Sequence, residues 1–358
     1  MSKSVLVAGF TTRHVAVSAA KAGYTVYAVD HFCDADLTAV VKDHMAFDEL
    51  EELPFAIEEM MSRHNPDYVV TTSGAELLDV PKRLGTSPAA AERFMDKGET
   101  QKFFEEIGIP VPKRLERGNY PAMAKTLSGA GGWRNAVVHS EAELLEWLEF
   151  VQNEPFMLQE FVEGTPASVC CLATGGKAVA LCTNMQILRG GDFCPYAFSG
   201  SMTPCPHPMA SRMADIAEKI AAESGCVGCI GIDFVLTDTE AYAIEINPRF
   251  QGTLETVEGA LGLSIFQLHL DACFGILPER PAVPEGFAVR KILTAPEDMT
   301  VKTDLLPLSD IITDIPYPGT TFEKGQVMFS VLGKGDTPEA ALASLDKHIS
   351  LAIQHIKE

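Results

Sequence analysis

Three short apolar runs near the N-terminus, residues 5–8, 24–29 and 67–72, alternate with stretches of helical spacing at 15–22 and 55–63. Parallel strands need a crossover between them, so a strand–helix–strand rhythm of this kind folds as a parallel sheet with helices on its faces. The chain therefore opens with an α/β unit, bounded here at residues 1–93. Asp30 closes the second run, where a dinucleotide-binding fold would place its ribose-binding acid. Gly9, however, is followed by Phe10-Thr11-Thr12-Arg13-His14, without the further glycines that let a pyrophosphate approach the backbone. That disfavours a dehydrogenase. Contacts to a small substrate at the carboxyl end of this sheet are left to loops, and Glu76, just past Ser73-Gly74, is either such a contact or a helix cap.

A length of 358 residues exceeds what one core holds, which is roughly 250–300. A boundary falls at 88–94, and a helical stretch at 96–107 ends on Gly108 with Pro110 and Pro112 beyond it. Short strands and helices then alternate to about residue 275. A proline-rich linker at 278–284 leads to strands at 289–294 and 326–332 and a helix opening at Pro338. Acidic side chains outnumber basic ones 49 to 28 and are spread along the chain, which excludes a nucleic-acid partner for want of a concentrated basic surface. The nine cysteines have no even spacing, as expected of reduced thiols. Cys226 and Cys229 form one CxxC that runs into an apolar strand and is read as packing in preference to zinc binding. No run reaches the ~18 apolar residues of a membrane span and the start has no signal-peptide pattern, so a cytoplasmic protein is expected.

The most informative chemistry lies in Glu245-Ile246-Asn247-Pro248-Arg249. Glu245 and Asn247 are two apart on an apolar run and project from one face of a strand. Asp233 lies on the preceding run, 230–236, and Thr237-Asp238-Thr239-Glu240 between them has the composition of a hairpin loop. A hairpin centred on Thr239 sets Asp233 opposite Glu245. Two carboxylates and an amide oxygen on one side of a sheet suit a magnesium ion completed by phosphates and water; the bland alternative is a solvated polar face. Pro248 ends the strand and throws Arg249 toward the phosphates, where it suits charge building on a transferred phosphoryl group.

Two further elements precede this one. Lys125, on an apolar run, is followed by Ser128-Gly129-Ala130-Gly131-Gly132, an ammonium and a glycine turn able to hold phosphate oxygens. It is not a Walker loop, since the Lys comes before the glycines. In Leu158-Gln159-Glu160-Phe161-Val162-Glu163-Gly164, backbone groups of Phe161 and Val162 suit an adenine edge and Glu163 the ribose hydroxyls; a plain edge strand is the alternative.

Taken in order, Asp96-Lys97, Lys125 with its glycine loop, 159–164, Asp233 and 245–249 resemble the ATP-grasp superfamily, closely over about 90–275 and more loosely elsewhere. The resemblance implies a parallel-sheet domain at 1–93, a small lid subdomain at 94–162, a large subdomain with the metal site at 163–276, and a C-terminal α+β segment at 277–358. It implies ATP held between the subdomains, with Lys97 and Lys125 on the phosphates and Gly129, Gly131 and Gly132 in the flexible lid. Glu160 and Glu163 would meet the adenosine side, and Asp233, Glu245 and Asn247 would hold Mg2+ or Mn2+. Trp133 and Arg134 depart from the smaller residues usual in that loop. The implied reaction joins a small-molecule carboxylate to an amine through an acylphosphate, with Arg249 and Lys125 as catalytic cations, and a homodimer is the implied assembly. Arg189 and Ser201 are candidate substrate contacts. A biotin-carboxylase-like enzyme, a purine-pathway ligase using Arg13 and His14 for a phosphate, and a non-enzymatic nucleotide sensor are the competing readings.

Overall fold

A computed structural model describes residues 2–191, 194–279 and 281–357. Arg280, inside the proline-rich linker, lies outside them. The first domain holds β1 (Ser4–Ala8), α1 (Arg13–Lys21), β2 (Thr25–Asp30), α2 (Ala35–Thr38), β3 (Asp43–Ala46), α3 (Leu53–His64) and β4 (Tyr68–Thr71). Its sheet is parallel in the order β3-β2-β1-β4, as the sequence rhythm requires. The third strand in chain order, Asp43-His44-Met45-Ala46, is too short and polar to read as an apolar run. Asp30 does not face a nucleotide: its carboxylate accepts from the backbone N–H groups of Thr12, Phe32 and Cys33 and pins the loops after β1 and β2.

After α4 (Pro88–Glu92), α5 (Lys97–Glu106) starts under a cap in which the Asp96 carboxylate accepts from the N–H groups of Gly98 and Glu99 at 2.7 and 3.0 Å. A small antiparallel sheet follows, of β5 (Arg114–Leu115), β6 (Ala122–Thr126), β7 (Ala136–Val138) and β8 (Phe156–Glu160), in the order β5-β8-β6-β7. Helix α6 (Glu141–Phe150) closes its core with Leu144, Trp147 and Leu148 against Ala122, Ala124 and Leu158.

The rest is organised by one eight-stranded antiparallel sheet. It holds β9 (Thr165–Thr174), β10 (Ala178–Leu188), β11 (Phe198–Thr203), β12 (Val227–Leu236), β13 (Ala241–Asn247) and β14 (Phe287–Thr294). A short pair, β15 (Met299–Thr300) with β17 (Thr321–Phe322), stands apart, while β16 (Ile312–Thr313) and β18 (Val327–Gly335) join the large sheet in the order β13-β12-β9-β10-β11-β14-β18-β16. The C-terminal segment thus continues the sheet that carries Asp233 and Glu245. The central strand β9 alternates as a doubly covered strand must. Val169, Cys171 and Ala173 pack under α7 (Ala210–Glu223), and Cys170 and Leu172 pack under α8 (Leu254–Leu261) and α9 (Ile265–Cys273). That second layer also meets Val5, Val7 and Val15, so the first domain and the large sheet share a core. Helix α10 (Pro338–Lys357) covers the far end of the sheet. Cys226 and Cys229 are buried in these two different layers, on opposite faces of the sheet, and do not converge.

An ionic knot joins four stretches of chain. Arg13, only 2% exposed, reaches both oxygens of Glu255 at 2.8 Å and Asp314 Oδ1 at 2.7 Å; Arg290 donates to Asp314 Oδ2 at 2.6 Å. Burial alone would raise the Asp314 carboxyl, but the guanidinium groups of Arg13 and Arg290 hold it well below the usual carboxylate range. Truncating one member leaves its partners charged and buried without compensation, at a cost of about 3–5 kcal/mol. Arg13→Ala is therefore expected to lower the thermal denaturation midpoint by several degrees, whereas the exposed Arg117→Ala, which loses only a surface pair with Glu141, is expected to leave it nearly unchanged.

Candidate active site

A cleft of about 980 Å3 opens where the three sheets meet. The first domain contributes the loops after β1 and β4 through Phe10, Thr11, Ser73 and Gly74, and the small sheet contributes Met123, Lys125 and the 130–133 loop. The floor is the face of the large sheet with Gln186, Asp233, Glu245 and Asn247.

The pairing of Asp233 with Glu245 expected from the sequence is found, by way of a bulge. Asp233 pairs with Glu245 and Gly231 with Asn247, but toward the turn the register differs by one from a hairpin centred on Thr239: Phe234 pairs with Ala243 and Leu236 with Ala241, and the extra residue Ile244 in β13 is what brings Glu245 opposite Asp233. Asp233 is surrounded by amides: Gln251 Nε2 donates to Oδ1 at 2.7 Å, Gln186 Nε2 to the same oxygen at 3.0 Å, and Asn247 Nδ2 to Oδ2 at 3.2 Å. Burial, then the charge of Glu245, pushes its carboxyl up to about 7. Gln251 reaches it only because residue 231 is glycine, since a Cβ there would lie 1.7 Å from Gln251 Cδ. The Oε1 of Gln251 is buried with no partner. Among the described residues no trio of His, Cys, Asp or Glu gathers to hold a metal. The donor set here, Asp233, Glu245 and Asn247 with an orphaned amide oxygen beside them, is hard and oxygen-only. It fits a magnesium-like ion that takes its other ligands from phosphate and water, and it would not retain zinc.

Facing these acids are two lysines. Lys125, 6% exposed, stands on β6, and Lys97, at the capped start of α5, lies 4.0 Å from Glu245 Oε2 and donates to Gly129 O at 2.5 Å. Burial pushes the Lys125 ammonium down to about 8, while Glu245 pulls it back up and Lys97 adds to the fall. The glycine loop curls over them. Gly132 has φ +69° and a Cβ there would lie 2.5 Å from Tyr196 O, so only glycine lets the loop rest on the start of β11, where Phe198 N–H donates to Gly131 O at 3.0 Å. Arg134 anchors the loop's far end through Glu154 at 2.6 Å and Ser128 O at 3.0 Å, which is what this unusual residue does here.

Phe161, Val162 and Glu163 line the cleft, whereas the Glu160 carboxylate turns away and accepts from the Lys113 N–H at 3.0 Å. Arg249 projects into the cleft past Pro248 and pairs with Glu76 at 2.7 Å, linking β13 to the loop after β4. The other two substrate candidates stand outside. Ser201 is fully buried, its hydroxyl 3.0 Å from that of Thr256, and exposed Arg189 donates to Gly325 O at 3.0 Å. Gln251 was not singled out from the sequence, because β13 ends at Asn247 and strand alternation says nothing about the turn beyond it. Nor does the sequence show that Gln186 meets Asp233, since it does so from β10 over the intervening β9.

Residues 94–253 match the family model of the ATP-grasp domain. Over 92% of its length the chain is 24% identical to an uncharacterised protein of Methanocaldococcus jannaschii, covering 88% of that protein. It is 25% identical over 75% of its length to the large chain of carbamoyl phosphate synthase from Campylobacter jejuni, of which it spans only 28%. In three dimensions it superposes on the biotin carboxylase domain of Hydrogenobacter thermophilus 2-oxoglutarate carboxylase, solved with MgADP and bicarbonate, with TM-score 0.80, 15% identity, and 98% of this chain and 90% of that one covered. It superposes likewise on an L-amino acid ligase from Bacillus licheniformis, with TM-score 0.74, 17% identity, and 98% and 97% coverage. These likenesses establish the fold.

The coupling of Lys125 to Glu245 can be measured directly. The amine is expected to titrate near pH 8 in pH-dependent acetylation followed by peptide mapping, and Glu245→Gln, which removes the charge that holds the proton on, is expected to lower that midpoint further.

Proposed function

Residues 94–253 form an ATP-grasp domain, and from that premise we propose that the chain is an ATP-dependent ligase joining a small-molecule carboxylate to an amine through an acylphosphate. The observation that carries this reading is the convergence of Lys97, Lys125, Asp233, Glu245, Asn247 and Arg249 around one cleft that a glycine loop overhangs. In this reading the adenine lies between the small and large sheets against the Phe161 and Val162 backbone, and Glu163 accepts from the ribose. Lys97, Lys125 and the amides of Gly129, Gly131 and Gly132 hold the phosphates. Asp233, Glu245 and Asn247 would hold magnesium or manganese, which when bound neutralises charge on the phosphates.

The carboxylate oxygen attacks the γ-phosphorus, the bond to the ADP oxygen breaks, and an acylphosphate forms. The amine nitrogen then attacks the acyl carbon, expels phosphate and loses its proton. The chain's part is position and charge. Arg249 and Lys125 stabilise the phosphoryl oxygens, Glu76 aims Arg249 from across the cleft, and the glycine loop keeps water from the acylphosphate. No nucleophilic side chain is needed.

A purine-pathway substrate with its own phosphate fits less well, because Arg13 and His14 both turn into the protein. Arg13 is committed to Glu255 and Asp314, and His14 is held neutral, pushed down to about 3 chiefly by burial. A biotin-carboxylase-like activity would reveal itself as bicarbonate-dependent ATP hydrolysis, and a sensor as ATP binding without turnover.

Lys125→Ala and Glu245→Ala are each expected to abolish substrate-dependent ADP release with far-ultraviolet circular dichroism unchanged; wild-type turnover by either refutes the assignment. The pH dependence carries a sign. Lys125 must be charged to hold phosphate, and in the free protein it loses its proton near pH 8. Affinity for ATP, measured by calorimetry at constant magnesium, is therefore expected to weaken from pH 7.5 to about 9.5, with net proton uptake on binding at the upper end. A flat profile would contradict the placement of Lys125 on the phosphates.

A further inference from the structure

We propose that the end of the cleft beyond Arg249 receives a carboxylate whose body is aliphatic or aromatic and bears no phosphate, an inference that rests on the ligase reading and narrows its substrate. The wall here is built from apolar side chains left open at the carboxyl end of the parallel sheet, where α/β folds bind their ligands. Phe10, in the loop after β1, stacks on His31 with ring centres 4.6 Å apart and is met edge-on by Phe32 at 5.4 Å. Leu50 joins the same surface. A Cβ added at Gly74 would lie 2.9 Å from Leu50 Cδ2 and 3.6 Å from Phe10 Cβ, so the glycine lets the two side chains close together over it. From the other wall Phe198 lies against Gly252, 3.4 Å from the place of a Cβ. Leu50, which lines the cleft, is nevertheless 47% exposed, an uncovered apolar surface that a ligand would remove from water.

Charge points the same way. Among the described residues lining the cleft the cations are Lys125 and Arg249. Lys125 faces Glu245, and Arg249 is held by Glu76 at 2.7 Å. Arg13, the cation nearest in sequence to Phe10, points into the core. A phosphate or second carboxylate on the substrate body would meet apolar rings and no lining cation beyond Lys125 and Arg249, whereas burying such an anion calls for charged donors of its own. One carboxylate, the reacting one, has Arg249 beside it.

The test uses the full chain with Mg·ATP and hydroxylamine as a common amine, which converts any acylphosphate to a hydroxamate and phosphate. L-phenylalanine, L-leucine, L-aspartate, O-phospho-L-serine and bicarbonate are offered one at a time, and ADP and hydroxamate are measured. Phenylalanine or leucine is expected to exceed aspartate and phosphoserine in kcat/KM by about tenfold or more. Phe10→Ala and Leu50→Ala are expected to raise KM for the preferred acid by about tenfold while moving KM for ATP far less. Preference for aspartate, phosphoserine or bicarbonate, or an unchanged KM in both variants, overturns the inference and leaves the ATP-dependent reaction standing. ADP release with none of the five overturns the ligase reading, and this inference with it.

Discussion

Two carboxylates set directly across a pair of strands repel, and burial makes the repulsion worse. Asp233 and Glu245 are held in that position by the register of β12 and β13, and much of the surrounding structure is accommodation to it. Three side-chain amides converge on Asp233, one of them admitted only by the absence of a side chain at Gly231. Two lysines, from a helix start and a strand of a different sheet, stand opposite. The arrangement sets opposed charges, acids on the large sheet and lysines across from them, on facing walls of one cleft.

The hairpin was legible because it is local. Two apolar runs of known length and a turn of Thr and acidic residues leave few registers, and only the extra residue Ile244, which shifts the pairing by one, is not written in the strand period. The parallel order of the first domain was legible for a similar reason, since its crossovers are written as helices. What escaped was non-local. Nothing near Arg13 in the chain announces Glu255 or Asp314, its partners some 240 and 300 residues on. An exposed arginine beside a glycine turn and an arginine at the centre of an ionic knot look alike in sequence. Ser201 illustrates the converse: its neighbours in sequence are loop-like, yet β11 carries it into a buried chain of hydroxyls with Thr256 and Thr203.

Glu160 and Glu163 show where a short motif misleads. Both sit at the end of one strand, three residues apart, and side-chain chemistry does not distinguish them. The difference comes from β5, whose approach to β8 brings the Lys113 backbone within reach of Glu160 and leaves Glu163 to line the cleft. Arg134 likewise acquires a role only when α6 and its neighbour Glu154 are placed beside the glycine loop.

The core shared by the first domain with α8 and α9 has a mechanical consequence. The loops after β1 and β4 stand on a sheet that packs against the same helices as the large sheet carrying the acids, whereas the small sheet has a core of its own. A displacement confined to the small sheet would leave that shared core in place, and with it the packing that spaces these loops from the acids. The two loops are not equivalent in this respect: the one after β4 carries Glu76, 2.7 Å from Arg249, so a change there would release a charged group of the cleft, whereas the one after β1 brings Phe10 and Thr11 to it.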